Sequence, residues 1–503
     1  MSFVHSLSLK EMQHFPLHVG NEWRTGNGGR RDVLSPASGA PIATVTEATA
    51  GDVDAACEVA ESAFPVWSAT DTAERARLLR ALGTIIAERM SQLAELESAV
   101  TGRPVREMKA QMSRIPEWLE YFAGIVLGLE GEANRVKGGF LTYTQYRPYG
   151  VCALLTPWNH PVLILVKKLA AALAAGNTLV IKPSELAPVS PLIIAEWARE
   201  ADFPKGVINV VTGGREAGAA LVANAHVARI DLTGGTATGK HVAKAAAERL
   251  VPCTLELGGK TPVVIFEDSQ PDEAVAGALF SAFVASGQTC VSGARFLVQE
   301  TIYDTFVAAL AARVAKLDVG DPAVMKTDVG PVISAASRDR CMAFIEGARA
   351  EGARLAASGK LPELKGNLAS GFFVPPTVFA DVTPSMRLFR EEVFGPVISV
   401  TPFRDEAHAL ELANDSEFAL GASIWSRDIL RAHRVAGKIR AGVTWINDHH
   451  KNDPRSIWGG HGASGYGKEN GWDALKSYMV KSSVIVRTDE QFSDWFGGGN
   501  RYG

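Results

Sequence analysis

The chain has 503 residues, with 51 Lys and Arg against 55 Asp and Glu, a formal charge of −4. With 47% hydrophobic and 21% charged residues it can bury large cores, which excludes disordered, collagen-like and coiled-coil classes and fits roughly two or three domains. No apolar run approaches the roughly 20 residues of a membrane span, and the basic residues form no one-sided stripe for nucleic acid.

The start, MSFVHSLSLKEMQHF, has no basic segment followed by an apolar one, so the expected location is cytoplasmic. Asp52 is a predicted cap for a helix carrying Ala55, Ala56, Val59, Ala60 and Ala63, and Asp71 for a longer one with Leu78, Leu79, Leu82, Ile85 and Ile86 on one face. A Gly-Arg-Pro turn at 102–104 follows. LTYTQYRPY alternates apolar or aromatic with polar residues, as does SYMVKSSVIVR near the end, and both predict half-exposed ribbon strands whose edges invite pairing.

From Val151 the pattern is βαβ. VCALLT is followed by a helix ending near Gly176, then NTLVIKP, the helix around PLIIAEWARE, VINVVT, a short helix and ARIDLT. The strands are nearly continuous apolar runs, which fits a parallel sheet covered on both faces. A second series follows: TPVVIFED, a helix from Asp272 to about Ala285, ARFLVQE, a helix through TFVAALAARVAKL, then VISVTPF, ASIWS and GVTWIND. Two α/β domains are implied.

Of five scattered cysteines, Cys57, Cys152, Cys253 and Cys341 lie on strands or helices where packing explains them, and no spacing suggests disulfides or a metal site. Cys290, in SGQTCVSGAR, has small and polar neighbours that leave room for a substrate carbon, although a buried turn cysteine also fits. Glu256, in LELGGK, is either a buried carboxylate usable as a base or an outward strand residue. Asn159, in TPWNHP, stands where open α/β sheets place ligand-binding residues and can donate to an oxyanion, or is a plain turn residue before Pro161. LTGGTATGK opens a helix with Gly234, Gly235 and Gly239 where phosphate can approach, but it is not the dinucleotide fingerprint. Lys182 and Glu185, in IKPSE, can reach cofactor hydroxyls or simply flank a turn.

In order, TPWN, IKPSE, LTGGTATG, LELGGK, GQTC, EEVFGP and IWGG resemble the NAD(P)-dependent aldehyde dehydrogenase superfamily over nearly the whole chain. The resemblance implies a Rossmann-like cofactor domain (1–128 and 149–258), an α/β catalytic domain (259–460), an oligomerisation ribbon (129–148 and 474–490) forming homodimers or homotetramers, and a tail at 491–503. It implies Cys290 as nucleophile, Glu256 as general base, Asn159 with the Cys290 backbone N–H as oxyanion donors, and Lys168 and Glu469 as proton relay. For the cofactor it implies Thr156, Trp158, Lys182, Ser184, Glu185, Gly214, Gly234, Gly235, Thr236, Gly239, Leu257, Glu392 and Phe394. A carboxylate at Glu185 repels a 2′-phosphate, so NAD is expected over NADP. Gly235 departs from the family's commoner Ser, with some backbone freedom gained, and Trp458 stands where a Phe often borders the tunnel.

The family's substrate tunnel corresponds to Arg114 and Trp118, to His160, Ile164 and Lys167, to Thr289 and Val291, and to His450, Asn452, Arg455 and Trp458. This set is basic, which points to a polar or carboxylate-bearing semialdehyde. The contrary expectation is that Arg114, Lys167 and Arg455 are solvated or paired at the rim. The alternatives are an aromatic aldehyde, a CoA-acylating relative and a non-catalytic protein of the same fold. Glu256 argues against the acylating type, and Cys290, Glu256 and Asn159 together argue against the non-catalytic one.

Overall fold

The computed structural model describes residues 12–500 apart from 138, 362, 364, 489 and 491. The start of the chain up to residue 11 and the last three residues of the 491–503 tail lie outside the described residues. Within them no helix is long and apolar enough to cross a membrane.

The first predicted sheet forms around Val151–Thr156, which lies between Thr178–Pro183 and Val227–Thr233; Ile208–Val210 and Cys253–Glu256 extend it in parallel on either side. Antiparallel strands at Leu17–Val19, Glu22–Arg24 and Gly465–Tyr466 complete eight. The period-2 alternation of the central strands divides their side chains between two cores. Cys152, Leu154, Leu179 and Ile181 join one, while Val151, Ala153, Leu155 and Val180 join the other. Chain order reverses between Val151–Thr156 and Val227–Thr233, so their carboxyl ends open a crevice at a topological switch point.

The second series gives a seven-stranded sheet centred on Gly293–Gln299, which is flanked by Thr261–Ile265 and Val397–Phe403, with Gly421–Trp425 beyond Thr261–Ile265. It too is covered on both faces, with Val264 and Leu297 in one core and Val263, Ile265, Phe296 and Val298 in the other. Phe140–Pro148 pairs antiparallel with Met479–Arg487 and with Ala133–Val136 to form the ribbon. Along Met479–Arg487 burial alternates residue by residue until the exposed end.

Two expected boundaries move. The first long helix spans Ala50–Ala69 and is capped by Thr49, not Asp52; Asp52 is the third residue of a capping box, its carboxylate accepting the Thr49 and Asn27 backbone N–H groups. The helix expected to reach Ala285 spans Pro271–Phe283 instead, because Ala285 and Ser286 are left-handed.

Candidate active site

Three consecutive residues before the cysteine, Ala285, Ser286 and Gly287, have φ of 54°, 55° and 71°. Left-handed backbone is unfavourable at the two non-glycine positions and persists only where the surroundings fix it. Here Ala285 N–H donates to Glu107 Oε2 at 3.0 Å, Ser286 Oγ donates to the Gly330 carbonyl at 2.9 Å, and Gln288 Oε1 accepts the Ile333 N–H at 2.9 Å. The turn ends the helix and delivers Cys290 to the amino end of Gly293–Gln299. Asn159 Nδ2 donates to the Gln288 carbonyl at 2.9 Å, which fixes the amide beside the cysteine and leaves its second N–H for another acceptor. Cys290 is half-buried; burial pushes its thiol up to about 12, with Glu256 adding to the rise and Lys167 opposing it.

Glu256 ends the strand Cys253–Glu256 and is 3% exposed, with Oε1 lacking any hydrogen-bond partner. Gly459 leaves room for that oxygen, since a Cβ there would lie 2.6 Å from it. Burial first, then the Glu469 charge, raises the Glu256 carboxyl to about 8, against the pull of Lys167 and Lys168. Glu469 itself accepts from Lys167 Nζ at 2.7 Å and from Lys168 Nζ, and these two cations outweigh its burial and hold it ionised. Lys168 also pairs with Asp231 on the strand Val227–Thr233, and its two carboxylate partners hold its ammonium above the ordinary lysine range despite burial.

The switch-point crevice contains a cavity of about 140 Å³ whose lining includes Trp158, Asn159, Gly234, Gly235, Cys290 and Phe394. Leu257 and Glu392 also line it. A Cβ on Gly235 would meet nothing within 4 Å, so a bulky group can approach there. Its φ of −73° is open to any residue, so the backbone there does not require glycine. Gly239 is needed instead for close packing, as its Cβ would lie 2.5 Å from Leu257 Cδ2. Gly235 caps the helix Thr236–Glu248, and Thr236 Oγ1 is turned to the Ala463 carbonyl. Lys182 Nζ donates to the Pro183 and Gly213 carbonyls, at 2.9 and 2.7 Å, and stands 3.9 Å from the Glu185 carboxylate, leaving one donor free. Ser184 Oγ accepts from Leu186 N–H, Gly214 caps the helix Arg215–Ala223, and Thr156 Oγ1 is buried without a partner. Glu392 Oε1 accepts the Gly259 N–H at 2.8 Å, and Phe394 packs edge-on to Trp158 with centroids 5.4 Å apart.

On the other side of Cys290, none of the three expected anion-binding cations is free. Arg114 pairs with Glu117 and donates to the Asn452 carbonyl, Arg455 pairs with Asp453, and Lys167 pairs with Glu469. The two arginines are partly exposed, where a neighbouring carboxylate is readily met. Lys167 is buried, and its ammonium lies 4.7 Å from the Trp458 ring centre. Trp118 packs into the core beside the cofactor sheet, its Nε1–H on Asn470 Oδ1. Ile164 is buried on the helix that carries Lys167, and Val291 packs with Trp445 and Trp458. His450, at φ 62°, places Nε2 3.5 Å from Thr289 Oγ1 and its ring 6.0 Å from that of His160.

His160 is organised by a residue that sequence reading placed only in a turn. The buried Arg103 donates to His160 Nδ1 at 2.7 Å, to the Asn159 carbonyl at 3.3 Å and to Glu107, which holds the Ala285 turn. Burial and the Arg103 charge push the imidazole well below its usual pKa, so the ring is neutral. Because Nδ1 accepts, the proton sits on Nε2, a buried donor with no partner.

A thiol, an oriented amide, a raised carboxyl and a switch-point crevice thus converge. The sequence matches the model of the aldehyde dehydrogenase family over residues 23–484. The chain belongs to the aldehyde dehydrogenase family. It is similar to the betaine aldehyde dehydrogenase of Brucella melitensis, at 41% identity over 90% of this chain and 93% of that one. Among solved structures it resembles PnpE in complex with nicotinamide adenine dinucleotide, with a TM-score of 0.93 at 41% identity, covering 96% of this chain and 99% of that one. It also resembles betaine aldehyde dehydrogenase of Staphylococcus aureus in complex with NAD+, with a TM-score of 0.94 at 37% identity over 98% of both chains.

Arg103 and Asp231 were not found from sequence. An acid inside the buried strand ARIDLT was the one available signal, for Asp231. A Cβ on Gly287 would collide with the Gly395 carbonyl and strain a left-handed residue. Gly287→Ala is therefore expected to lower turnover at least about tenfold, more than it lowers cofactor affinity, measured by steady-state kinetics and NAD titration.

Proposed function

We propose that this chain oxidises a polar aldehyde to its carboxylic acid with NAD as hydride acceptor, through an acyl group carried on Cys290. The observation that carries the reading is the placement of Cys290, the Asn159 amide and the cavity at the switch point on one crevice. The open face at Gly235, the spare donor of Lys182 and the Glu185 carboxylate suit a dinucleotide without a 2′-phosphate. When bound, NAD supplies the acceptor for the hydride.

The chain's own residues do the rest. The Cys290 thiol gives up its proton to water in the crevice as its sulfur bonds to the aldehyde carbon and the C=O π electrons move to oxygen, and the resulting oxyanion takes N–H donors from Asn159 and the Cys290 backbone. After hydride loss a thioester remains. Glu256 then takes a proton from water as the water oxygen adds to the carbonyl carbon, and the C–S bond breaks. The protein's ribbon suits assembly into homodimers or homotetramers in the cytoplasm. The remote end of the substrate is read as a hydrogen-bond acceptor, a carboxylate included, because His160 Nε2–H is a buried donor without a partner.

Cys290→Ala is expected to abolish turnover, whereas Glu256→Gln gives a burst of NADH followed by slow release; equal loss of burst and turnover would move Glu256 to thiol activation. With the Glu256 carboxyl raised to about 8, its base form is lost as pH falls, so steady-state turnover should drop on the acid side of that value. In a comparison of kcat/KM for succinate semialdehyde, betaine aldehyde, benzaldehyde and hexanal, the first should lead, and His160→Phe should cost it about tenfold. A lead for hexanal would remove the polar-substrate reading, and a lead for betaine aldehyde the acceptor reading.

A further inference from the structure

Lys168 and Glu469 match the pair that the family resemblance marks as a proton relay, but in this chain they are the middle of a longer buried row. The row runs Lys167, Glu469, Lys168, Asp231, ending on the Tyr478 hydroxyl, which donates to Asp231 Oδ2 at 2.6 Å. Its members come from the helix Pro161–Ala175, the strand Val227–Thr233, the segment carrying Glu469 and the residue just before Met479–Arg487. All five side chains are at most 5% exposed. Lys167 and Asp231 therefore add one positive and one negative charge to the two ends of the relay pair.

An isolated charge in such a place is costly, and it acts on every ionisable neighbour with little screening. The neighbour at issue is Glu256. It stands opposite Thr233 on the strand that carries Asp231, Thr233 Oγ1 donates to Glu469 at 3.5 Å, and Lys167, Lys168 and Cys290 are its other titratable neighbours, with Lys468 held on the Gly459 and Gly460 carbonyls of the adjoining loop. Beyond Asp231 stands Arg229, 4.0 Å from Oδ2, donating to Thr254 and Ser477 and lying 4.5 Å from the Tyr478 ring centre. Lys167 brings a cation beside the thiol and the Trp458 ring, and unopposed it would stabilise the Glu256 carboxylate and weaken it as a base.

We propose that Asp231 is a positioning residue for thioester hydrolysis: held by Tyr478, it anchors Lys168 and offsets the charge of Lys167, so that Glu256 remains a strong enough base to take the proton of water. The inference rests on Glu256 as the base. The electrons balance as in hydrolysis itself: water oxygen bonds to the carbonyl carbon, its proton goes to Glu256, and the C–S bond breaks to release the Cys290 thiolate.

The test uses the full-length protein acetylated on Cys290 with p-nitrophenyl acetate, an uncharged probe that needs neither NAD nor the polar-substrate reading. Loss of the acetyl group is followed by intact-mass spectrometry across pH. Asp231→Asn should move the acidic limb of deacetylation down by about one pH unit, and Lys167→Met should move it up by a similar amount. The double variant, with both charges gone, should return it close to the wild-type position. If Asp231→Asn does not fold, the upward move in Lys167→Met and its reversal in the double variant decide the matter. A limb that stays put in the folded single variants, or two shifts in the same direction, would overturn the inference. A limb that persists unchanged in Glu256→Gln would instead remove Glu256 as the base.

Discussion

The active site depends on how little chain separates the two parallel sheets. The strand Cys253–Glu256 is the last parallel strand of one sheet and Thr261–Ile265 the first strand of the other in chain order, with four residues between them. That link must run past both the thiol loop and Glu392. A Cβ on Gly258 would lie 2.5 Å from Glu392 Oε2, and one on Gly259 would run into the Cys290 carbonyl. The two glycines are thus a condition of close approach, not of an unusual turn. Because the link is short, the Glu256 carboxyl, the Cys290 thiol and the Glu392 carboxyl are fixed relative to one another by two rigid sheets.

Arg103 ties the third wall to this arrangement. Through Glu107 it secures the left-handed turn before Cys290, through the Asn159 carbonyl it holds that residue's backbone, and together with Gln111 Nε2 on His160 Nδ1 it fixes which imidazole nitrogen carries the proton. Strain at Ala285 and Ser286 is tolerated because these bonds over-determine the turn. One buried cation thereby links nucleophile geometry to the shape of the substrate side.

Electrostatics then separates the roles of chemically similar groups. Glu256 and Glu469 are both buried carboxylates, yet one has no hydrogen-bond partner on Oε1 and is raised, while the other lies between two lysines and stays ionised. Cys290 is a high-pKa thiol in this environment, so its activation has to come from a neighbour or from a bound ligand rather than from its own acidity. The basic tunnel implied by the family resemblance resolves into ion pairs, and His160 adds a neutral N–H donor without a partner.

The sequence by itself determined the two α/β layers and the ribbon strands, because period-2 apolar strands are local signals, and its short motifs singled out Cys290, Glu256 and Asn159 as candidates. It also singled out the glycine-rich helix start and the Lys182–Glu185 turn as candidate cofactor contacts. Which charges would pair was not legible. Arg114, Lys167 and Arg455 read alike along the chain, but only Lys167 became a buried member of a row, because its partner Glu469 lies about three hundred residues away in sequence. Asp231 meets Lys168 and Tyr478 only through sheet register and the docking of the ribbon's root, and the His160 tautomer follows from a guanidinium 57 residues upstream. Tertiary structure alone decided these, since the energy of a buried charge depends on distances and desolvation that no local pattern encodes.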